Sequence, residues 1–357
     1  MIFYPCMLIQ ILFPSAQTDK INQKEAVMYY FVVNPNARSG MGLNIWKSIQ
    51  KELKSNLISH KVFFTGPALS ASDAVRSICR EETDCTIILL GGDGTVNEAI
   101  QGLLHPETVT LGYIPIGSGN DFARDYRLPT DPIQALQNIL HPVNRVSMDI
   151  CRVRTAGQTQ LFAGSSGMGF DAAVCMEALD SPIKHTLNRI KLGKFTYIGI
   201  ALHQIFSFSP KPICVLFDGN EKVRFRKAYF VCAMNHPYEG GGLMLAPGAD
   251  GQDGCLDVCV VSGLPKALLL ILLPTAFFGK HVLFRRYITF RRCRRVSIHS
   301  SSPLPVHTDG EAFGMHTSVT AGTTGQQVTI IAGPSFGEPA FDQNSKGFRK
   351  ISKETVN

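Results

Sequence analysis

Two glycine-rich segments of the chain have the composition of phosphate-binding loops. Residues 91–95 read Gly-Gly-Asp-Gly-Thr and residues 114–124 contain Gly-Ser-Gly-Asn-Asp, and each segment follows an apolar run. Glycines let the backbone turn tightly and point its N–H groups at a phosphate, and a helix that begins there adds positive potential. Asp93 suits such a loop if a divalent cation or a sugar hydroxyl lies between it and a nucleotide. A tight strand–helix turn without a ligand is the alternative.

A third candidate loop comes earlier in the chain. Residues 34–40 read Asn-Pro-Asn-Ala-Arg-Ser-Gly and also follow an apolar run. In the 114–124 segment, Ser118 and Asn120 have side chains that can reach a phosphate or a nucleobase, and Asp121 faces the same cleft. The sequence has no Walker A lysine motif, which excludes a P-loop enzyme.

These loops need a scaffold, and the first half of the chain supplies one by alternating strands and helices. Continuous apolar runs predict strands at 29–35, 61–65, 85–90 and 110–116. Apolar residues at helical spacing lie between them. Such alternation predicts parallel strands covered by helices. The loops then share the carboxyl edge of one sheet, where open α/β sheets bind ligands.

After about residue 144, strand-like runs follow one another with few helices between them. Successive strands of this kind predict an antiparallel sheet or sandwich. The runs lie at 148–153, 213–217, 228–235, 256–262, 294–300 and 328–331, and only 171–208 and 265–280 read as helical. We therefore predict an α/β nucleotide-binding domain with a parallel sheet, followed by an antiparallel β-sandwich domain. The predicted parts are a tail at 1–27, the α/β domain at 28–145, the β-rich domain at 146–333 and a polar tail at 334–357.

Composition and charge bound the class of protein. Hydrophobic residues make up 45% of the 357 and charged residues 18%, which suits a sizeable core and excludes a disordered chain. The net charge is +7, and residues 280–295 alone hold seven basic residues and no acidic one. Aromatic side chains in that run are too few for a nucleic-acid stacking surface. The ten cysteines form no CxxC pair, which favours a reducing cytoplasm.

Two apolar segments could be targeting or membrane elements. The first 17 residues contain no Lys or Arg, so the positive region of a signal peptide is missing, and we expect Met28 to be the natural start. Residues 267–279 form a 13-residue apolar run broken by Pro274, whereas a membrane span needs about 20 residues. With the basic run behind it, this segment predicts interfacial binding, although a core role for its leucines and a solvated role for the arginines are the alternative. The predicted surface residues are Leu268, Leu269, Leu272, Leu273, Phe277, Phe278, Arg285, Arg286, Arg291 and Arg292.

Together, the motifs resemble the soluble bacterial diacylglycerol kinases and related lipid kinases, whose catalytic domain is shared with sphingosine and ceramide kinases. The 91–95 motif alone is less specific, because NAD kinases carry it too. Its combination with the other segments is specific to lipid kinases. The matching segments run in family order from about Met28 to Gly333, at 34–40, 91–103, 114–124, 164–174, 235–261 and 307–311.

The resemblance implies a role for each matching position. Glu311 looks like the family's proton acceptor for the lipid hydroxyl, and Asp93 looks like a second catalytic residue. Asp253 looks like the side-chain ligand of a magnesium site that the backbone carbonyls of Asp250 and Cys255 complete, which suits a cation that takes oxygen ligands. The implied ATP-binding positions are Asn34, Pro35, Asn36, Ala37, Arg38, Thr65, Gly92, Asp93, Gly94, Thr95, Val96, Asn97, Glu98 and Ser118.

Plain structural roles stay open for several of these residues. Asp253 and Asp257 could be turn and strand-end carboxylates, and Glu311 could be a solvated turn residue. We interpret the histidines beside prolines or at strand ends as local hydrogen-bonding residues. One departure from the family is Gly164, where Asn is usual, and it leaves the acceptor side of the cleft less defined.

As a function, the resemblance implies transfer of the γ-phosphoryl group of ATP to the hydroxyl of diacylglycerol, giving phosphatidic acid, with ATP and Mg²⁺ as cofactors. Another long-chain alcohol (a sphingoid base, ceramide or a polyprenol) is an alternative acceptor. A non-catalytic membrane-docking protein is an alternative of another class, against which the presence of Asp93, Asp121, Asp253 and Glu311 together argues. We expect a cytoplasmic protein whose partners are a lipid and the anionic inner face of the membrane. Nucleic acid is not an expected partner, and a homodimer is left open.

Overall fold

Four parallel strands form the sheet of the first half of the chain. The computed structural model describes residues 27–180 and 193–338, and in it these strands lie in the order β2-β1-β3-β4. Their bounds are β1 Tyr29–Val33, β2 His60–Phe64, β3 Cys85–Gly91 and β4 Val109–Pro115. The helical segments are α1 Ala37–Gly40, α2 Gly42–Ser55, α3 Ala71–Glu81, α4 Asp93–Gly102, α5 Asp121–Asp125 and α6 Pro132–Leu140, with a 3₁₀ turn at Pro106–Thr108.

Both faces of this sheet are covered, which explains why its strands read as continuous apolar runs. Alternate residues of β1 and β3 point to opposite faces. Helices α2 and α6 cover one face, where Trp46 and Leu136 are buried, and α3 and α4 cover the other, where Val75 and Ile100 are buried. The α/β prediction is therefore confirmed.

The second half of the chain is built from antiparallel strands. One face of β9 and β10 packs against neighbouring strands, and the other packs against helices. The strands are β5 Asn144–Arg154, β6 Thr159–Phe162, β7 Ser165–Gly169, β8 Lys211–Phe217, β9 Glu221–Met234, β10 Leu256–Ser262, β11 Ile288–Cys293, β12 Arg295–Thr308 and β13 Glu311–Ala332. The helices are α7 Phe170–Asp180, α8 Gly193–Ser207 and α9 Lys266–Ala276, with a 3₁₀ turn at Lys280–Leu283.

Two long strands join the halves. Strand β13 pairs with β12 and β5 along most of its length, and its end then pairs in parallel with β4, where Ile330 lies opposite Leu111. Strand β5 also runs without a break through the boundary predicted near residue 145. The division into domains at that position stays a proposal.

The sequence patterns missed three short strands, β6, β7 and β11. Strand β7 reads Ser-Ser-Gly-Met-Gly, so it lacks the apolar run that signals a strand, although all five residues are buried between β9 and β12. Most of the two predicted tails, at residues 1–26 and 339–357, lies outside the described residues. Residues 181–192 of the predicted 171–208 helical region also lie outside them. No helix within the described ranges is long and apolar enough to cross a bilayer.

Candidate functional site

The predicted loops meet at one edge of the parallel sheet. Val33 lies opposite both Phe64 and Leu90, and Gly91 lies opposite Pro115. The four strands therefore end at the same level, and the segments that follow them lie side by side. This arrangement is the carboxyl-edge cleft expected from the strand–helix alternation.

Two of the glycine loops contact each other through their backbones. A Cβ atom on Gly117 would lie 2.7 Å from the Cα of Gly92, and one on Gly91 would lie 2.2 Å from Oγ1 of Thr95. Because no side chain fits at these positions, glycine is required by close approach.

Asp93 links the two loops. Its carboxylate accepts hydrogen bonds from the backbone N–H groups of Asp121 and Phe122, each at 3.3 Å. Burial, reinforced by the neighbouring Asp121 carboxylate, raises the pKa of Asp93 to about 6. Asp93 therefore keeps its proton to a higher pH than an exposed aspartate does, and it accepts hydrogen bonds from the start of α5.

Asp121 connects the second glycine loop to the second half of the chain. Its Oδ2 accepts the backbone N–H of Gly241 at 2.7 Å, and its Oδ1 pairs with Arg124. Residues 240–242 are three glycines with positive φ angles of 66°, 84° and 117°. We refer to residues 239–249 as the acceptor loop; it lies against the second glycine loop, where a Cβ atom on Gly119 would be 3.8 Å from the Cα of Gly241.

Glu311 faces the first glycine loop from the second half of the chain. It begins β13 directly after a two-residue Asp-Gly turn, Asp309–Gly310, in which both φ angles are positive, as in type I′ hairpins. A Cβ atom on Gly94 would lie 3.1 Å from Oε1 of Glu311. The side chain is exposed, and the structure places it next to Gly94 at the start of α4.

Asp309 is the residue of this turn that sequence reasoning did not single out. Its carboxylate accepts the backbone N–H groups of Ala163, Gly164 and Ser165 at 2.8–2.9 Å and the side-chain amide of Asn97 at 3.0 Å. Asp309 therefore fixes the turn that carries Glu311 to both halves of the chain. A Cβ atom on Gly164 would lie 3.1 Å from Oδ1 of Asp309, so the carboxylate approaches the backbone closely at this position.

The residues implied to bind ATP fall into two groups, those at the carboxyl edge of the sheet and those whose side chains have other contacts. Asn34, whose Oδ1 accepts the N–H of Asn36, and the exposed Ser118 lie at the carboxyl edge. Other side chains have different contacts: Val96 is buried in the core, and Glu98 accepts the N–H of Ala71 at the start of α3. The role of all these positions in binding ATP stays a prediction.

The residues implied as magnesium ligands lie in the loop at 250–255, and their contacts fit a cation poorly. Oδ1 of Asp253 accepts the N–H of Cys255 at 2.9 Å, and Oδ2 forms an ion pair with Arg292. Burial raises the pKa of Asp253, and Arg292 opposes that shift. A metal ion on Asp253 would have to share its carboxylate with a guanidinium group, so the magnesium assignment at Asp250, Asp253 and Cys255 stays a prediction.

A buried polar group that the sequence analysis did not assemble lies behind the hairpin turn. Nε2 of His307 is 3.2 Å from Oδ2 of Asp171 and 3.2 Å from Oε1 of Glu239. Burial alone would lower the pKa of His307, but these two carboxylates raise it to about 9. The group connects the start of α7, the acceptor loop and the strand that leads to Glu311. In the sequence, the only indication of this group was that each of its three residues lies within a different family motif.

Comparison with known proteins assigns both halves of the chain. Residues 28–153 match the diacylglycerol kinase catalytic domain family, and residues 164–332 match the YegS C-terminal NAD kinase beta sandwich-like domain. The Bacillus subtilis protein YtlR, whose lipid-kinase name is provisional, is 30% identical over 80% of this chain and 94% of its own. A diacylglycerol kinase of Mycobacterium tuberculosis strain H37Rv is 27% identical over 78% of this chain and 87% of its own.

Solved structures show the same fold. A crystal structure from Bacillus anthracis strain Sterne, provisionally titled a diacylglycerol kinase, superposes with a TM-score of 0.66 at 24% identity and covers 87% of this chain and 98% of its own. The two-part architecture and the resemblance inferred from the motifs are both confirmed. This chain belongs to the family of lipid kinases that is defined by the diacylglycerol kinase catalytic domain.

Proposed function

We propose that this lipid kinase transfers the γ-phosphoryl group of ATP to the hydroxyl of diacylglycerol and so produces phosphatidic acid. The observation that carries the proposal is the placement of Glu311 against Gly94, beside Asp93 and the paired glycine loops. A carboxylate in that position stands next to the backbone N–H groups that would hold the phosphates. The relatives named diacylglycerol kinase, from Mycobacterium tuberculosis and Bacillus subtilis, support the choice of acceptor.

In this mechanism the chain mainly positions groups and neutralises charge, as phosphoryl transfer requires. The glycine loops would hold the phosphates of ATP, and Mg²⁺ bound to ATP would neutralise part of their charge. The lipid oxygen bonds to the γ-phosphorus, the bond to the β–γ bridging oxygen breaks, and ADP leaves. Glu311 accepts the hydroxyl proton as the new bond forms. Asp93 and Asp121 hold the two sides of the cleft in register through their backbone hydrogen bonds.

A panel of lipid acceptors tests the proposed substrate. Purified protein is incubated with labelled MgATP and mixed micelles that contain diacylglycerol, a sphingoid base, ceramide or a polyprenol. We expect labelled phosphatidic acid as the main product. Faster labelling of another alcohol would move the activity to that acceptor, and no labelling of any lipid would favour the non-catalytic alternative.

We also propose peripheral contact with an anionic membrane, through a surface that differs from the one predicted. Leu269 and Leu272 of α9 are only 5% and 3% exposed, because they pack into the core behind β9 and β10, so they do not belong to a docking surface. Arg291 and Arg292 are paired with Glu221 and Asp253. The residues that support docking are exposed and lie on α9 and the segment that follows it: Ile271, Phe277, Phe278, Lys280, Leu283, Phe284, Arg285 and Arg286.

This docking surface adjoins the acceptor loop. The backbone N–H of Met244 donates to the carbonyl of Ala276 at 2.9 Å, and the ring of His281 lies 3.1 Å from the carbonyl of Leu245. A membrane at the docking surface would therefore lie beside the acceptor loop. Apolar side chains at the acyl boundary and arginines on anionic headgroups are the pattern of interfacial binding.

Vesicle sedimentation tests the contact. Each basic residue near an anionic surface contributes about 1 kcal/mol, so we expect Arg285→Gln/Arg286→Gln to weaken binding to phosphatidylglycerol-containing vesicles by about 10- to 30-fold. The matched control is Arg224→Gln/Arg226→Gln, which removes the same charge from exposed positions on β9. Equal binding by both double variants would contradict the proposed surface, as would wild-type binding that does not change with salt.

A further inference from the structure

The loop at 250–255 lies where carboxylates are concentrated between the two halves of the chain. Asp250 and Asp253 belong to the loop, Asp149 of β5 accepts a hydrogen bond from it, and Asp257 of β10 follows it in the chain. The loop is pinned to β5 by two hydrogen bonds: Gly254 donates its N–H to Oδ2 of Asp149 at 2.7 Å, and Asp149 donates its N–H to the carbonyl of Gly251 at 2.7 Å. A cation beside these carboxylates would offset the repulsion among them.

Arg292 supplies that charge. It lies on β11 directly opposite Asp257 of β10, and its Nη2 pairs with Oδ2 of Asp253. Arg292 thus pairs with Asp253, the one residue whose side chain the family resemblance assigns to Mg²⁺. The side chains of Arg292 and Asp253 are only 24% and 20% exposed, so water screens this pair less than an exposed one.

We infer that Arg292 is the resident cation of the 250–255 loop and takes the place of a bound Mg²⁺ there. A guanidinium does not lose its proton in proteins, so it cannot yield the site by neutralising. A divalent cation that shared the Asp253 carboxylate would be repelled at a few ångströms by a fixed positive charge. The loop is therefore folded without a metal ion, and the magnesium that the kinase needs arrives with ATP. This inference does not depend on the identity of the lipid acceptor.

Thermal unfolding in EDTA and in excess MgCl₂, with no nucleotide present, tests the inference on the full chain. We expect the wild-type Tm to be the same in both buffers. Arg292→Gln should have a lower Tm in EDTA and should recover at least about 2 °C in MgCl₂, because the unpaired carboxylates then bind the metal. Arg291→Gln is the matched control: it removes the adjacent arginine of the same strand, whose partner is the exposed Glu221, and it should show no magnesium response.

Two further measurements keep the inference testable if Arg292→Gln does not fold. Arg292→Lys retains the charge and should remain as insensitive to magnesium as the wild type. Wild-type protein without nucleotide should also bind no Mn²⁺ stoichiometrically by electron paramagnetic resonance. Tight Mn²⁺ binding by the wild type that Asp253→Asn abolishes would overturn the inference, and so would a wild-type Tm that rises with MgCl₂ as far as that of Arg292→Gln. Neither readout involves lipid phosphorylation, so failure of the proposed function would leave both results interpretable.

Discussion

Replacement of Glu311 by glutamine is the most direct perturbation of the proposed chemistry. The substitution preserves the size of the side chain and removes its ability to accept a proton. Since Glu311 is exposed at the start of β13, the free energy of unfolding should change by no more than about 0.5 kcal/mol. The effect on turnover should be much larger, because a positioned general base is typically worth about 10²- to 10⁴-fold in rate.

The magnitude follows from where the carboxylate lies. Its Oε1 would be 3.1 Å from a Cβ atom on Gly94, so the glutamine amide fits the same space and the glycine loop keeps its conformation. The variant should therefore retain ATP binding and lose kcat. A loss of that size raises the activation free energy by about 2.7 to 5.4 kcal/mol.

Initial rates on diacylglycerol in mixed micelles measure the effect, with ATP binding followed separately by fluorescence titration. Glu107→Gln is the control, because Glu107 is an exposed glutamate on the 3₁₀ turn before β4 and does not belong to the cleft. A Glu311→Gln variant that kept kcat within about threefold of wild type would refute the assignment of the base, because removal of a base costs far more.

Three other predictions concern the cleft. Burial raises the pKa of Asp93 to about 6, so the protonated side chain contributes stability below about pH 4, and this contribution is lost as the pH rises through 6. The Asp93→Asn variant cannot ionise and does not lose this contribution. Measured by urea unfolding, the stability of Asp93→Asn relative to wild type should therefore rise by up to about 3 kcal/mol between pH 4 and pH 7.5. Gly117→Ala should weaken ATP binding, because the added methyl would lie 2.7 Å from the Cα of Gly92, whereas Gly157→Ala has open space and should bind ATP normally; equal ATP affinities would argue against the close packing of the loops. Asp309→Asn should destabilise the fold by about 1–3 kcal/mol in urea and lower kcat, because three backbone N–H groups lose a carboxylate acceptor; unchanged unfolding would show that these hydrogen bonds are dispensable.

The sequence by itself determined the half of the site that belongs to the parallel sheet. Strand–helix alternation requires parallel strands, and parallel strands end at one edge, so the loops at 34–40, 91–95 and 114–124 had to lie together. The glycines of those loops also predicted that the backbones approach closely, because such an approach leaves no room for a Cβ atom. Local pattern and chain direction were sufficient for these inferences.

Only the tertiary structure decided how the second half of the chain meets that edge. The contacts from Asp121 to Gly241, from Asn97 to Asp309 and from Asp253 to Arg292 span 120, 212 and 39 residues, and no periodicity in a sequence specifies partners at such separations. Asp253 is one example. The family motif predicts a metal ligand at this position, but it gives no sign that the antiparallel pairing of β10 with β11 also places Arg292 against the same carboxylate.

The docking surface shows, for a helix, the same difference between what the sequence determines and what the tertiary structure decides. Helix α9 is apolar on nearly every side, so its sequence has no polar face to indicate which leucines are buried. Packing behind β9 and β10 buries Leu269 and Leu272 and leaves Ile271 64% exposed. The sequence determined that the segment is helical and too short to span a membrane. Which of its sides faces solvent depends on the sheet against which it packs, and that sheet is assembled from strands distant in sequence.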